Sequence, residues 1–244
     1  MTNKEILCTA LKQSALELNC TVDDLTGGKS KAVISSTAEG ARKYLSLPFY
    51  CQLVSYGSGI VASVNEEIYA DAKAYIEKYA PEHCFETPNM LVLQSALERR
   101  GMSACFMAEY WLCDTDAIRM IDCGYELRLL TAEDFAPLYT PQWSNALCEK
   151  RKELDVLGIG AYDGEKLVGL AGCSADCESM WQIGVDVLPE YRRRGIASAV
   201  TGRLAAEIMA RGKVPFYCCA WSNVASARNA IRAGFRPAGV ELTA

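Results

Sequence analysis

Histidine is almost missing from this chain: His83 is the only one in 244 residues. A zinc centre built on histidine pairs therefore lacks its ligands, and a cysteine nucleophile lacks the neighbouring base that would activate it. Long apolar runs are missing too. Nothing approaches the roughly 18 to 20 residues that span a bilayer. Met1-Thr2-Asn3-Lys4-Glu5 opens directly into an amphipathic pattern instead of a secretion signal, so the expected compartment is the cytoplasm. Nor is there an excess of positive charge. Lys and Arg number 25 against 30 Asp and Glu, a net charge of -5. That balance argues against a general nucleic-acid binder and against anchoring on anionic lipid, and it suits a cationic or amine-bearing substrate.

Half of the residues are hydrophobic and 23% are charged, the profile of a globular protein long enough for one large domain or two modest ones. Twelve cysteines stand out. Cys173 and Cys177 have a metal-like spacing but no second pair. The adjacent Cys218 and Cys219 point to opposite faces if they lie in a strand. The expectation is reduced thiols serving as small apolar residues, with no metal.

Helical spacing of Ile6, Leu7, Ala10, Leu11, Ala15 and Leu18 predicts a first helix. The stretch from Asp23 to Ser30 is expected to be a loop. Its Gly28-Lys29-Ser30 invites a phosphate-loop reading, but Asp23 stands where that motif needs glycine. Strands are expected over 49–54 and 59–64, helices over 66–79 and 87–100, and a strand over 102–112. A seam follows at 114–121. Beyond it the expected order is a strand over 125–129 and a helix over 131–139. A hairpin over 154–162 and 167–174 turns at Asp163-Gly164. Then come a strand over 180–187, a helix over 195–211, a strand over 216–221, a helix over 222–233 and a short last strand. The class is α/β or α+β, a mixed sheet covered by helices, with domains at 1–118 and 119–244.

Most informative is the run from Ile183 to Ser198. A strand ends at Pro189, a loop carries Arg192, Arg193 and Arg194, and Gly195 opens a helix. The first turn of a helix leaves backbone N–H groups unpaired and adds partial positive charge, which suits phosphate. Small Ala197 and Ser198 leave room for a bulky anion, and the arginines add charge-assisted hydrogen bonds.

Arg192-x-x-Gly195-x-Ala197 after Val187-Leu188-Pro189-Glu190-Tyr191 resembles the signature of the GNAT superfamily of N-acetyltransferases. Asn223, Ser226 and Gly234-Phe235 are similar to its second element, and Glu165 to Gly169 to its central hairpin. The resemblance covers about residues 122–244. It implies a mixed, mainly antiparallel sheet flanked by helices, with acetyl-CoA as acyl donor. The amides of Arg193, Arg194, Gly195, Ile196, Ala197 and Ser198, beside Arg192, would cradle the pyrophosphate. The backbone of Val185 and Val187 would hold the pantetheine arm, and Asn223 and Ser226 the other side. The acceptor would be a small-molecule amine or a peptide amino group, attacking the thioester directly.

One family feature is absent. The tyrosine that often protonates the leaving thiolate is replaced by Ala230. Ser226, Tyr217 or water remain as substitutes, and Glu178 or Asp186 as the base. The catalytic candidates are Glu178 and Ser226. The N-terminal half carries no CoA motif, and its arrangement is loosely similar to a degenerate half-GNAT unit. It is expected to wall off the acceptor pocket or to make a homodimer contact. Tyr110, Trp111, Phe106 and Trp181 are candidate pocket aromatics. The alternative to an enzyme is a silent CoA sensor or interaction module.

Overall fold

The computed structural model describes residues 1–244. The chain runs α1 (Asn3–Leu18), α2 (Val22–Thr26), β1 (Lys31–Ile34), β2 (Cys51–Ser55), β3 (Ile60–Val64), α3 (Tyr69–Lys78), α4 (Thr87–Glu98) and β4 (Phe106–Cys113). It continues through β5 (Glu126–Thr131), β6 (Asp155–Asp163), β7 (Lys166–Ser174), β8 (Met180–Val187), α5 (Ile196–Ala210), β9 (Val214–Ala220), α6 (Val224–Arg232) and β10 (Phe235–Thr243). No helix is long and apolar enough to cross a membrane.

Contacts divide the chain into two units, Leu7–Tyr110 with Pro237–Ala244, and Met1–Ile6 with Trp111–Arg236. The sequence suggested a single cut at 118/119. The final strand instead returns to the first half because β10 pairs antiparallel with β2, from Val240 opposite Ser55 to Thr243 opposite Gln52. Asn3, in turn, belongs with the second half. Its side chain donates to Asp114 at 2.8 Å and accepts from the Thr115 amide at 2.8 Å.

In the first unit, β1 lies parallel to β3, which pairs antiparallel with β2. Every residue of β2 and β3 is buried. Alternation explains why. Cys51, Leu53, Ile60, Ala62 and Val64 join the core with α3 and α4, while Val54 and Val61 pack with Leu11, Ala15, Leu18 and Leu25 of α1 and α2. Strands covered on both faces show no polar outer side, and here even Gln52, Ser55 and Ser63 are buried. Two expectations change here. The polar stretch after Cys20 holds a short helix, because Thr21 and Asp24 cap each other's amides at 3.2 and 2.9 Å. The four-residue β1 was not anticipated, having too few residues to show a period.

In the second unit, β5, β6, β7 and β8 form an antiparallel meander and β9 adds parallel to β8. Helix α5 covers one face with Ile196, Val200, Leu204 and Ile208 fully buried. The other face is covered by Phe135, Trp143, Ala146 and Leu147. The helix expected over 131–139 breaks into 3-10 turns at Ala132–Asp134 and Ala136–Leu138. Pro137, inside the expected helix, removes an amide donor an α-helix needs there.

Candidate functional site

Strands β8 and β9 pair only from Met180 opposite Val214 to Ile183 opposite Tyr217, yet β8 runs on to Val187 and β9 to Ala220. The sheet forks beyond Ile183 and Tyr217. Leu188 N–H donates to Val168 O on β7 at 3.0 Å. Alternation along β8 therefore turns the backbone groups of Val185 and Val187 away from β7, toward the fork. Arg192 Nε takes the Val187 carbonyl at 3.1 Å.

The fork leads to the N-terminus of α5. Arg193 and Gly195 have positive φ, 65° and 84°. Such a turn aims consecutive N–H groups into one concavity. The first backbone bond of α5 runs from Ala199 N–H to Gly195 O at 3.1 Å, so the amides from Arg193 to Ser198 have no acceptor in the chain. Glycine is the residue that adopts the Gly195 conformation without strain.

A cavity of about 690 Å³ opens at this point. Val185, Val187, Arg192, Arg193, Gly195, Ile196, Ala197, Ser198, Asn223 and Ser226 line it, so the structure brings nearly all the expected cofactor residues together. Arg194 is the exception. Its guanidinium donates to Tyr125 Oη at 2.8 Å and to Glu190 O at 3.1 Å, leaving only its amide for a ligand.

Arg228 and Arg232, one turn apart on α6, also line the cavity and were not anticipated. Their four-residue spacing on a helix that starts at the motif asparagine was the available signal. No carboxylate pairs with Arg192, Arg193, Arg228 or Arg232. On the far part of α5, by contrast, Glu207 takes Arg203 and Arg211 at 2.8 and 2.9 Å. Four cations thus converge with one acidic side chain, Asp186, among the lining residues.

Asp186 is committed elsewhere. Its carboxylate accepts from the amides of Asn145 and Ala146 at 2.8 and 3.0 Å and from Asn145 Nδ2 at 2.6 Å. These bonds fasten residues 145 and 146 against paired Gly172 and Gly184, where a Cβ would meet Ala146 O at 2.2 Å and Asn145 O at 1.8 Å. Asp186 is a structural pin, which accounts for the carboxylate that the sequence offered as a base. Glu178 lies exposed in the turn between β7 and β8, at the end of β8 remote from Arg192, and is not among the cavity's lining residues. Cys218 accepts from Gln182 Nε2 at 3.0 Å, and all twelve cysteines are free thiols. Phe106, Tyr110, Trp111 and Trp181 do not line this cavity.

Helix α6 is set by Asn223, whose Oδ1 accepts the Ser226 amide at 3.1 Å. Behind it runs a buried polar chain. Thr201 Oγ1 accepts from Asn229 Nδ2 and Ser198 Oγ donates to Asn229 Oδ1, both at 3.1 Å. Tyr217 Oη lies 2.6 Å from Ser226 Oγ. Burial raises the Tyr217 phenol above its ordinary pKa, and hydrogen bonds from Ser226 and Asn229 offset part of that shift. Ala230 is fully buried.

The GNAT acetyltransferase family model matches residues 66–239. The match covers well over half of the chain, which belongs to the GNAT acetyltransferase family. It begins far upstream of residue 122, so the family's pattern extends into the N-terminal half. Solved structures with a similar fold include a GNAT-family protein from Novosphingobium aromaticivorans, 23% identical over 57% of this chain and 65% of that one, with a TM-score of 0.46. A GCN5-related N-acetyltransferase from Sphaerobacter thermophilus is 15% identical over 75% of this chain and 70% of that one, TM-score 0.49. An aminoglycoside N-acetyltransferase solved in complex with CoA is 18% identical over 46% of this chain and 87% of that one, TM-score 0.36. No curated protein matches.

Proposed function

We propose that this protein transfers an acetyl group from acetyl-CoA to a primary amine, by direct attack in a ternary complex. The observation that carries the reading is the meeting of a forked parallel strand pair with unbonded amides at a helix N-terminus and four arginines free of carboxylates. A thioester attached to a long, polyanionic handle fits that combination. The amides from Arg193 to Ser198 receive the pyrophosphate, and Arg192, Arg193, Arg228 and Arg232 neutralise the phosphates. The free backbone groups of Val185 and the amide of Val187, whose carbonyl Arg192 already holds, align the pantetheine arm as an added strand would. Asn223, whose Nδ2 is not used by its capping bond, closes the other side. An N–H on the free edge of β8 stabilises the oxyanion, and holding amine and thioester together supplies much of the rate.

The acceptor is a small-molecule amine or a peptide amino group. Thiol release from acetyl-CoA, measured against a panel of amines, tests the reading. Release that depends on one amine class supports it. CoA binding without release for any amine moves the protein to the sensor reading, and no CoA binding overturns the site.

A further inference from the structure

Departure of CoA requires a proton for its sulfur, and the fork contains one buried hydroxyl at its apex. Tyr217 is the last residue of β9 still paired with β8. Its ring lies on the side of α6, it lines the cavity, and it is only 4% exposed. Its hydroxyl lies 2.6 Å from Ser226 Oγ, and the neighbouring Asn229 side chain is among the groups that draw the phenol's pKa down against burial. Asn229 is itself locked by Ser198 and Thr201, so the amide has one orientation. Ser226 also lines the cavity. It precedes Ala230 by one helical turn on the same face of α6, so the helix presents a short hydroxyl toward β9, and the strand carries the phenol.

We propose that Tyr217 donates the proton to the departing thiolate and that Ser226 resupplies it. The proposal rests on the acetyl-CoA reading above. The acceptor nitrogen forms a bond to the thioester carbon, and the C–S bond breaks with its electron pair on sulfur. Tyr217 Oη–H protonates the sulfur, Ser226 Oγ–H protonates the phenolate, and water in the cavity reprotonates Ser226. The nitrogen loses its proton to water, so one proton leaves nitrogen and one reaches sulfur. In this arrangement Tyr217 and Ser226 are catalytic residues. Asn229 is a positioning residue.

The test uses the full chain carrying Tyr217→Phe or Ser226→Ala. The first readout is ionisation of the bound CoA thiol, followed by thiolate ultraviolet absorbance across pH. Loss of the Tyr217 donor raises the pH at which the bound thiol ionises, while calorimetric CoA affinity stays within about threefold. The second readout is turnover. Tyr217→Phe lowers kcat about 10²- to 10⁴-fold with little change in acceptor KM, the size expected for a general acid. Ser226→Ala gives a smaller loss, because water can replace the relay. Circular dichroism confirms that both variants fold. Unchanged thiol ionisation in Tyr217→Phe, or a kcat within threefold of wild type, overturns the proton donor alone. Absence of CoA binding in the unmodified protein overturns the acetyl-CoA reading and the donor with it.

Discussion

Arg42 and the cavity arginines show two opposite uses of one side chain. In the unit formed by Leu7–Tyr110 and Pro237–Ala244, Arg42 is buried and saturated. Its guanidinium meets Glu17 through Nε and Nη at 2.7 to 3.0 Å, donates to Tyr44 Oη at 2.7 Å, and packs on the rings of Tyr44 and Tyr110, each 5.4 Å away. Glu17 also accepts the Arg42 backbone amide at 2.9 Å. In the unit of Met1–Ile6 and Trp111–Arg236, Arg193, Arg228 and Arg232 are exposed around an open cavity without an acidic partner. The first arrangement ties an irregular segment to a helix. The second keeps charge available for something that comes from outside.

The largest effect expected from breaking that contrast is on stability. Arg42→Ala leaves Glu17 buried without its cation and should cost about 3–5 kcal/mol in chemical denaturation. A cost below 1 kcal/mol would mean that the pair does not hold the unit together. Replacing Arg228 and Arg232 together by Ala should leave stability within about 0.5 kcal/mol but weaken CoA binding roughly 10- to 100-fold at low ionic strength. The deficit should shrink as salt rises, because these charges are exposed and screened. Asp186→Ala removes the acceptor for two backbone amides and one side-chain amide. A loss of about 1–3 kcal/mol is expected in thermal or chemical unfolding. Arg193→Gly should have the smallest effect on the fold and in the opposite direction. Relief of a positive φ should raise stability by up to about 1 kcal/mol while CoA affinity falls. A destabilised Arg193→Gly would show that the arginine side chain supports the loop.

Periodicity and turn chemistry were enough to locate most elements of the second unit, because its hairpin, its arginine loop and its capped helices are local features. The residues that gather around the cavity were legible for the same reason. Arg192 to Ser198 are consecutive, and Asn223 caps the helix that follows β9. Residues whose role depends on strand direction or pairing were less visible. Glu178 is close to β8 in sequence, but the strand carries it to the end remote from the arginine loop. Asp186 alternates to the face where residues 145 and 146 lie, which no local pattern announces. The return of β10 to β2 joins residues as far apart as Gln52 and Glu241, 189 positions along the chain, and the broken helix at 132–138 follows from Pro137 within it.

The most direct test of the central claim is calorimetric titration of CoA into the unmodified protein and into the Arg228→Ala, Arg232→Ala double variant, each at low and high salt. One-to-one binding that weakens with salt in the unmodified protein, and is weaker and less salt-sensitive in the variant, is the result predicted. Equal CoA affinity in both proteins, or no binding in either, would contradict the assignment of the cavity to the cofactor's phosphates.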